Sequence, residues 1–201
     1  EIMPSLVGSE MCIRDRHNLR TDYIDLYQIH NPSLAELEQV TAPGGALEAL
    51  LEAKAAGRIG HIGVTAHMAS VFEKALTMDW VETGMFPFNI VETQGEALIQ
   101  RCREQNVGFI CMKPMAGGAL EDARLALRFI RQNENVSVVI PGMYDVREID
   151  QNLEAMEDVS PLTEAEKAKL DAIRKELGTQ FCRRCNYCQP CTCLLYTSPS
   201  P

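Results

Sequence analysis

Between residues 17 and 158 the sequence alternates short runs of β-branched and aromatic residues with longer amphipathic segments. Five such runs stand at residues 21–30, 61–65, 88–91, 108–113 and 136–140. The runs predict strands and the segments between them predict helices, which is typical of β-α units around a parallel sheet. The last run, VSVVI, is almost wholly apolar and indicates a strand that is covered on both faces.

Two architectures can be built from such units. Right-handed crossovers that wind in one direction favour part of a barrel. A doubly wound sheet is the alternative, but it would be expected to carry a glycine-rich phosphate loop, and the sequence contains no GxGxxG. We therefore predict an α/β fold with part of a barrel. A Thr163/Glu166 capping box then predicts a final, charged helix.

Four cysteines within ten residues follow that helix, at Cys182, Cys185, Cys188 and Cys191. Their CxxCxxCxxC spacing predicts thiolate ligands of an iron-sulfur cluster. Zinc is the alternative, although zinc sites usually separate two CxxC pairs by a longer span, and disulfides are a third possibility that a reducing cytosol disfavours. Cys102 and Cys111 lie in a predicted helix and strand, and we expect them to be small core residues.

Composition and charge narrow the class of protein. With 46% hydrophobic residues the chain can bury a sizeable core. A formal net charge of -9 argues against binding nucleic acid or an anionic membrane. No apolar run is long enough to cross a bilayer, and the first residues do not read as a signal peptide. These features predict a cytoplasmic protein.

Five strings carry a resemblance: DYIDLYQIH, GRIGHIGVTAH, FNIVE, MKPMAGG and VVIPGMYDVREIDQNL. In this order they are similar to the second half of the aldo/keto reductase family. The helix and cysteine run that follow resemble the branch of that family with a C-terminal ferredoxin-type extension. The resemblance implies about the last five β-α units of a (β/α)8 TIM barrel, followed by a helix and a small 4Fe-4S motif.

The same resemblance implies an activity. NADPH, or alternatively NADH, would bind at the carboxyl ends of the strands, and hydride would pass to or from a small-molecule carbonyl or alcohol. A redox partner could exchange electrons with the cluster. A non-catalytic electron-transfer or partner-binding scaffold remains the alternative function.

Residue roles follow from position in the family's motifs. His30 matches the catalytic histidine, which orients the carbonyl and assists proton delivery. The implied cofactor contacts are Thr65, Asn89, Met112, Lys113, Gly142, Met143 and Asn152. The family's proton-donating tyrosine, its lysine and its aspartate have no counterpart here, so we expect the chain to be a fragment that is inactive alone.

The two ends do not resemble natural protein. LVGSEMCIRDR at residues 6–16 and CLLYTSPSP at residues 193–201 resemble translations of a sequencing adapter read on opposite strands. The predicted organisation is therefore an adapter-like segment at 1–16, the barrel portion at 17–160, a helical linker and the start of a ferredoxin-type domain at 161–192, and a second adapter-like segment at 193–201.

Overall fold

A computed structural model describes residues 13–178 of the chain. The strands are β1 (Ile24–His30), β2 (Ile59–Thr65), β3 (Thr83–Pro87), β4 (Gly108–Met112) and β5 (Val138–Ile140). They form one five-stranded sheet in the order in which they occur along the chain. The pairs β1–β2 and β2–β3 are parallel. Sequential parallel strands joined by helices confirm the predicted β-α units.

Helices connect and follow the strands. Residues 13–19 are helical (α1), and a single 3-10 turn occupies Ala116–Gly118. The other helices are α2 (Leu34–Thr41), α3 (Ala46–Ala55), α4 (Ala69–Ala75), α5 (Glu96–Glu104), α6 (Ala123–Arg131), α7 (Val146–Glu157) and α8 (Glu164–Leu177). Between residues 13 and 178, no helix has both the length and the apolar character needed to cross a membrane.

Local signals fix several helix ends, one of them as predicted. Thr163 and Glu166 form the expected capping box at the start of α8. Gly57, with φ of 69°, follows the end of α3 in the left-handed conformation that glycine adopts without strain. The segment between β1 and β2 contains two helices, and Ser33 and Glu36 form a capping box at the start of the first, α2.

Two strand predictions need correction. The third strand lies at Thr83–Pro87, whereas the sequence pattern predicts residues 88–91. Residues 89–92 instead form a turn, because the Asn89 side chain accepts hydrogen bonds from the Val91 and Glu92 amides. In β5, Val138 and Ile140 are 49% and 43% exposed, so this strand is not covered on both faces. It stands last in the strand order.

The chain divides into two compact units. The first consists of the described residues up to Phe86 together with Ala97–Ile110. One part of its core is aromatic: the Phe72 ring lies 5.4 Å from that of Phe86 and 6.1 Å from that of Phe109, measured between centroids. Gly84 is required beside Phe72, because a Cβ there would lie 2.0 Å from the ring.

The second unit consists of Pro87–Glu96 and the described residues from Cys111 onward. Its core joins the segments around the 3-10 turn, α6 and α8. The buried members are Ile90, Ala116, Leu120, Leu125, Ala126 and Leu170. Because Leu170 of α8 is part of this core, the last described helix packs within the second unit.

Candidate active site

The first unit places two predicted site residues next to each other. His30 is the last residue of β1 and Thr65 is the last residue of β2, and the two are directly paired in the parallel register. His30 is exposed, whereas Thr65 is almost fully buried. Carboxyl ends of parallel strands meet at one edge of a sheet, which is where open and closed parallel sheets place their ligands.

Asn31 ties these two strand ends together. Its backbone N–H donates to both the carbonyl oxygen and the Oγ1 of Thr65, at 3.0 and 2.8 Å. Its Oδ1 accepts from the backbone N–H of His67 at 3.2 Å. Asn31 has φ of 44°, a left-handed conformation that asparagine tolerates better than most residues. The Thr65 hydroxyl thus already accepts one hydrogen bond, and its own O–H is what it can offer a ligand.

A cleft of about 690 Å³ runs along β1 on the side of His30. Ile24, Leu26, Gln28 and His30 alternate along the strand and line it, and Leu50 of α3 contributes from outside the strand. The Gln28 Nε2 is buried and has no hydrogen-bond partner among the described residues. The cleft is therefore mainly apolar, and its polar lining residues are Asp15, Asn18, Tyr27, Gln28 and His30.

The second unit contains the remaining predicted cofactor residues. Asn89 is fully buried, and its Nδ2 donates to the Glu92 Oε2 and to the Lys113 carbonyl oxygen, both at 2.9 Å. Met112 is buried at the end of β4, and Lys113 follows in a left-handed conformation with φ of 53°. The structure thus brings Asn89 and Lys113 together through a hydrogen bond within the protein.

The segment after Lys113 contains further left-handed residues. Ala116, Gly117 and Gly118 have φ of 49°, 69° and 90°. The Ala116 N–H donates to the Lys113 carbonyl oxygen and the Gly118 N–H to that of Met115, at 2.9 and 2.8 Å. Backbone turns of this kind allow close approach of a ligand, and they are the feature expected of a phosphate-lining loop.

The start of α7, predicted to hold the adenosine phosphate, is occupied by acidic groups. Asp145 caps the helix, and the Glu148 carboxylate accepts from the Tyr144 N–H at 2.7 Å. Arg147, the only cation among residues 142–148, forms an ion pair with Asp145 at 2.8 Å, and this guanidinium lowers the pKa of the Asp145 carboxyl. The arrangement therefore disfavours a 2′-phosphate, since the carboxylates repel it and accept from the Tyr144, Asp145 and Arg147 amides at the helix start. Gly142 and Met143 are exposed, and Asn152 of α7 is half-buried.

The predicted metal ligands Cys182, Cys185, Cys188 and Cys191 lie outside the described residues, as do residues 1–12 and 193–201 of the adapter-like segments. Within residues 13–178, no group of three or more His, Cys, Asp or Glu side chains is arranged to hold a metal ion. Residues 13–16 of the first adapter-like segment are helical, and the Asp15 carboxylate accepts a hydrogen bond from the Tyr27 hydroxyl at 2.8 Å.

The two described cysteines behave as core residues, as predicted. Burial raises the pKa of the Cys102 thiol to about 11 and that of the Cys111 thiol to about 12. The Cys111 Sγ also donates to the Phe88 carbonyl oxygen at 3.0 Å. Because the reactive form of cysteine is the thiolate, both side chains are chemically inert at neutral pH.

Sequence reasoning missed Asn31 and Glu92. The position of Asn31, between a candidate catalytic histidine and a proline, is only a weak signal of a functional role. That role depends on contacts with the neighbouring strand β2, which the local sequence does not show. Glu92 is almost fully buried beside Asn89. The Asn-x-x-Glu spacing would indicate this contact only if a turn were predicted there, and the sequence pattern predicts a strand.

Comparisons with known proteins show which proteins this chain is similar to. The family model described as "Aldo/keto reductase family" matches residues 10–124. An uncharacterized oxidoreductase of Bacillus subtilis, YqkF, is 28% identical over 145 residues, which are 71% of this chain and 44% of that protein. An uncharacterized oxidoreductase of Schizosaccharomyces pombe, C215.11c, is 24% identical over 170 residues, which are 76% of this chain and 53% of that protein.

A solved structure shares the fold. The holo form of the aldo-keto reductase AKR11C1 from Bacillus halodurans superposes with a TM-score of 0.71 at 21% identity, over 85% of this chain and 67% of that one. The chain spans about half the length of the curated relatives it matches, 44% and 53%. The matched residues include both His30 and Thr65.

Proposed function

Because this chain belongs to the aldo/keto reductase family, we propose that it is part of a reductase that transfers hydride between a nicotinamide dinucleotide and a small carbonyl or alcohol substrate. The observation that carries the proposal is the pairing of His30 with Thr65 at adjacent strand ends, beside the apolar cleft along β1. A carbonyl group with an apolar substituent suits a cleft of that composition.

Each residue has a separate task in this proposal. When bound, the dinucleotide supplies the hydride. His30 donates a hydrogen bond to the substrate oxygen, which orients the carbonyl and stabilises the charge that develops on it. The Thr65 hydroxyl donates to the nicotinamide carboxamide. In the second unit, family position assigns Met112 to the nicotinamide ring and Lys113 to the pyrophosphate, and assigns the adenosine end to the residues at 142, 143 and 152.

We expect a weaker preference for NADPH over NADH than the resemblance implies. NADPH is the cofactor that family position favours, but the ion pair between Arg147 and Asp145 removes the cation that a 2′-phosphate would need. We therefore propose that NADH is accepted as well as NADPH. We propose that the reductase is located in the cytoplasm, where both dinucleotides are present.

We also propose that the chain alone does not turn over. It covers about half of its relatives, and the tyrosine, lysine and aspartate that the family uses would belong to the part that is not covered. Without the tyrosine, the developing alkoxide lacks its main proton donor.

Substitution of His30 in the full-length parent reductase tests the activity. His30→Ala is expected to lower kcat/KM for carbonyl reduction about a hundredfold or more, since a positioned acid-base group contributes that much. The control is His17→Ala, because His17 is exposed and lies outside the strand ends. Full activity of the His30 variant would reject the assignment. A parent that holds a cluster yet oxidises neither NADH nor NADPH would instead support the non-catalytic scaffold.

For the cysteine run we propose a 4Fe-4S cluster that exchanges electrons with a redox partner. The four-cysteine spacing supports it, together with the capped helix α8 that ends just before the run. Anaerobic reconstitution of the chain should yield iron, labile sulfide and an EPR signal after reduction. Cys185→Ser should lower the iron content, whereas Cys111→Ala should not, because Cys111 is buried and inert. One zinc ion and no labile sulfide would overturn the assignment.

A further inference from the structure

The side chain of Asn89 has no hydrogen-bonding capacity left for a ligand. A carboxamide has two N–H donors and a carbonyl oxygen with two lone pairs. The Nδ2 of Asn89 donates to the Glu92 carboxylate and to the Lys113 carbonyl oxygen. Its Oδ1 accepts from the Val91 N–H at 3.0 Å and from the Glu92 N–H at 2.9 Å. All four positions are used, and the residue is fully buried.

One of these four hydrogen bonds is made to a strained residue. Lys113 has φ of 53°, and it precedes Pro114. A side-chain-bearing residue in the left-handed region is strained, and a following proline restricts its conformation further. Such a conformation persists only when the surroundings hold it. The Lys113 carbonyl oxygen is held by two donors, the Asn89 Nδ2 and the Ala116 N–H, each at 2.9 Å.

The turn that carries Asn89 is itself braced from two sides. The Phe88 N–H donates to the Met112 carbonyl oxygen at 3.3 Å. The Arg174 Nε donates to the Ile90 carbonyl oxygen at 3.0 Å, and its guanidinium carbon lies 5.4 Å from the centroid of the Phe129 ring. A rigid turn can therefore impose a conformation on Lys113 instead of yielding to it.

We propose that Asn89 is a positioning residue that holds the Lys113 peptide in its left-handed conformation and so sets how residues 112–118 are presented to the dinucleotide. This reassigns Asn89, which family position makes a direct cofactor contact. The effect on the dinucleotide rests on the proposed function. The effect on the Lys113 backbone does not, and it can be measured without a ligand.

The experiment compares Asn89→Asp with Asn106→Asp in the 201-residue chain. The first change preserves shape and removes both N–H donors. Asn106 is also left-handed but exposed, so it controls for the chemistry of the substitution. The Cα and Cβ NMR shifts of Lys113 should leave the left-handed range only in Asn89→Asp. The Kd of the Asn89→Asp chain for NADH should rise about tenfold, because the cost of holding one residue in a strained backbone conformation corresponds to a change of about that size.

A second variant separates positioning from a general loss of structure. Glycine adopts positive φ without strain, so in the Lys113→Gly background Asn89→Asp should no longer change the Kd for NADH. In the unsubstituted chain, a scalar coupling through the hydrogen bond from the Asn89 side-chain N–H to the Lys113 carbonyl should be detectable, which decides the contact even if Asn89→Asp does not fold.

Three results would overturn the inference: absence of that coupling, left-handed Lys113 shifts in a folded Asn89→Asp chain, or a Kd within about twofold of the unsubstituted chain. If the unsubstituted chain binds neither NADH nor NADPH, the proposed cofactor site loses its support. The coupling and the Lys113 shifts still decide the role of Asn89 in that case.

Discussion

At the scale of single residues, Glu82 is a carboxylate of the first unit that has several charged and polar partners. Its Oε1 lies 2.8 Å from the His61 Nδ1, and its Oε2 accepts from the Ile62 N–H at 3.0 Å and forms an ion pair with Lys54. Burial by itself would raise the pKa of Glu82, but these three partners outweigh it and lower the pKa to about 2. The carboxylate links α3, β2 and the start of β3.

Acid should therefore weaken the first unit. A carboxyl whose folded-state pKa is depressed contributes its full stability above its usual pKa of 4.5 and loses it as the pH falls towards 2. We expect Glu82→Gln to cost about 1 kcal/mol at pH 6, a figure reduced for solvent screening, and to cost nothing near pH 2. Urea unfolding followed by the fluorescence of Trp80, the single tryptophan, measures this.

The control for this experiment is Glu52→Gln, which changes an exposed carboxylate on the same helix as Lys54. Its unfolding free energy should stay close to that of the unsubstituted chain at both pH values. A Glu82→Gln chain that loses the same stability at pH 6 and pH 2 would contradict the assignment of the pH dependence to Glu82.

At the scale of elements, the attachment of α8 is the least expected feature of the second unit. Arg128 of α6 is almost fully buried, and its Nε donates to the Glu166 carboxylate at 2.8 Å while its Nη1 pairs with Asp158. Both carboxyls have a pKa lowered to about 2, Glu166 chiefly by Arg128 and Asp158 chiefly by Ser160. Lys169 adds an ion pair with Asp122 at 2.6 Å.

Removal of Arg128 should detach this helix. Arg128→Ala leaves two carboxylates without their shared cation, and breaking a buried ion pair in this way costs roughly 3 kcal/mol. Arg124→Ala is the matched control, because Arg124 pairs with the same Asp158 from a half-exposed position and should cost roughly 0.5 kcal/mol. Thermal unfolding by circular dichroism compares them, and equal costs would contradict the buried role of Arg128.

At the scale of the whole chain, two apolar surfaces are uncovered within residues 13–178. In the first unit, the cleft along β1 is mainly apolar. In the second unit, Val146, Ile149 and Leu153 repeat along one face of α7 and are 77%, 44% and 55% exposed. Strands β1 and β5, at the two ends of the strand order, have unpaired edges within the described sheet.

We predict that the isolated chain associates with itself. Exposed apolar stripes and open strand edges favour association. Analytical ultracentrifugation should show concentration-dependent oligomers, which Ile149→Lys reduces. Leu51→Lys, at an exposed leucine that belongs to neither surface, should leave them unchanged. A monomer that unfolds cooperatively would show the prediction to be wrong.

The sequence alone determined the class of fold, the start of α8 and the family. These depend on local periodicity, capping residues and motif order, which are properties of neighbouring positions along the chain. For that reason the β-α units and the Thr163/Glu166 cap are confirmed, and the family match includes His30 and Thr65. The individual site roles and the iron-sulfur ligands stay predictions.

Only the tertiary structure decided which polar atoms remain for a ligand. Asn89 looks like a cofactor contact from its position in a motif, but its partners include Lys113, which is 24 residues away. The exposure of β5 and the burial of Arg128 depend in the same way on distant segments. Hydrogen-bond satisfaction is settled among groups that meet only after folding, so local sequence patterns cannot reveal it.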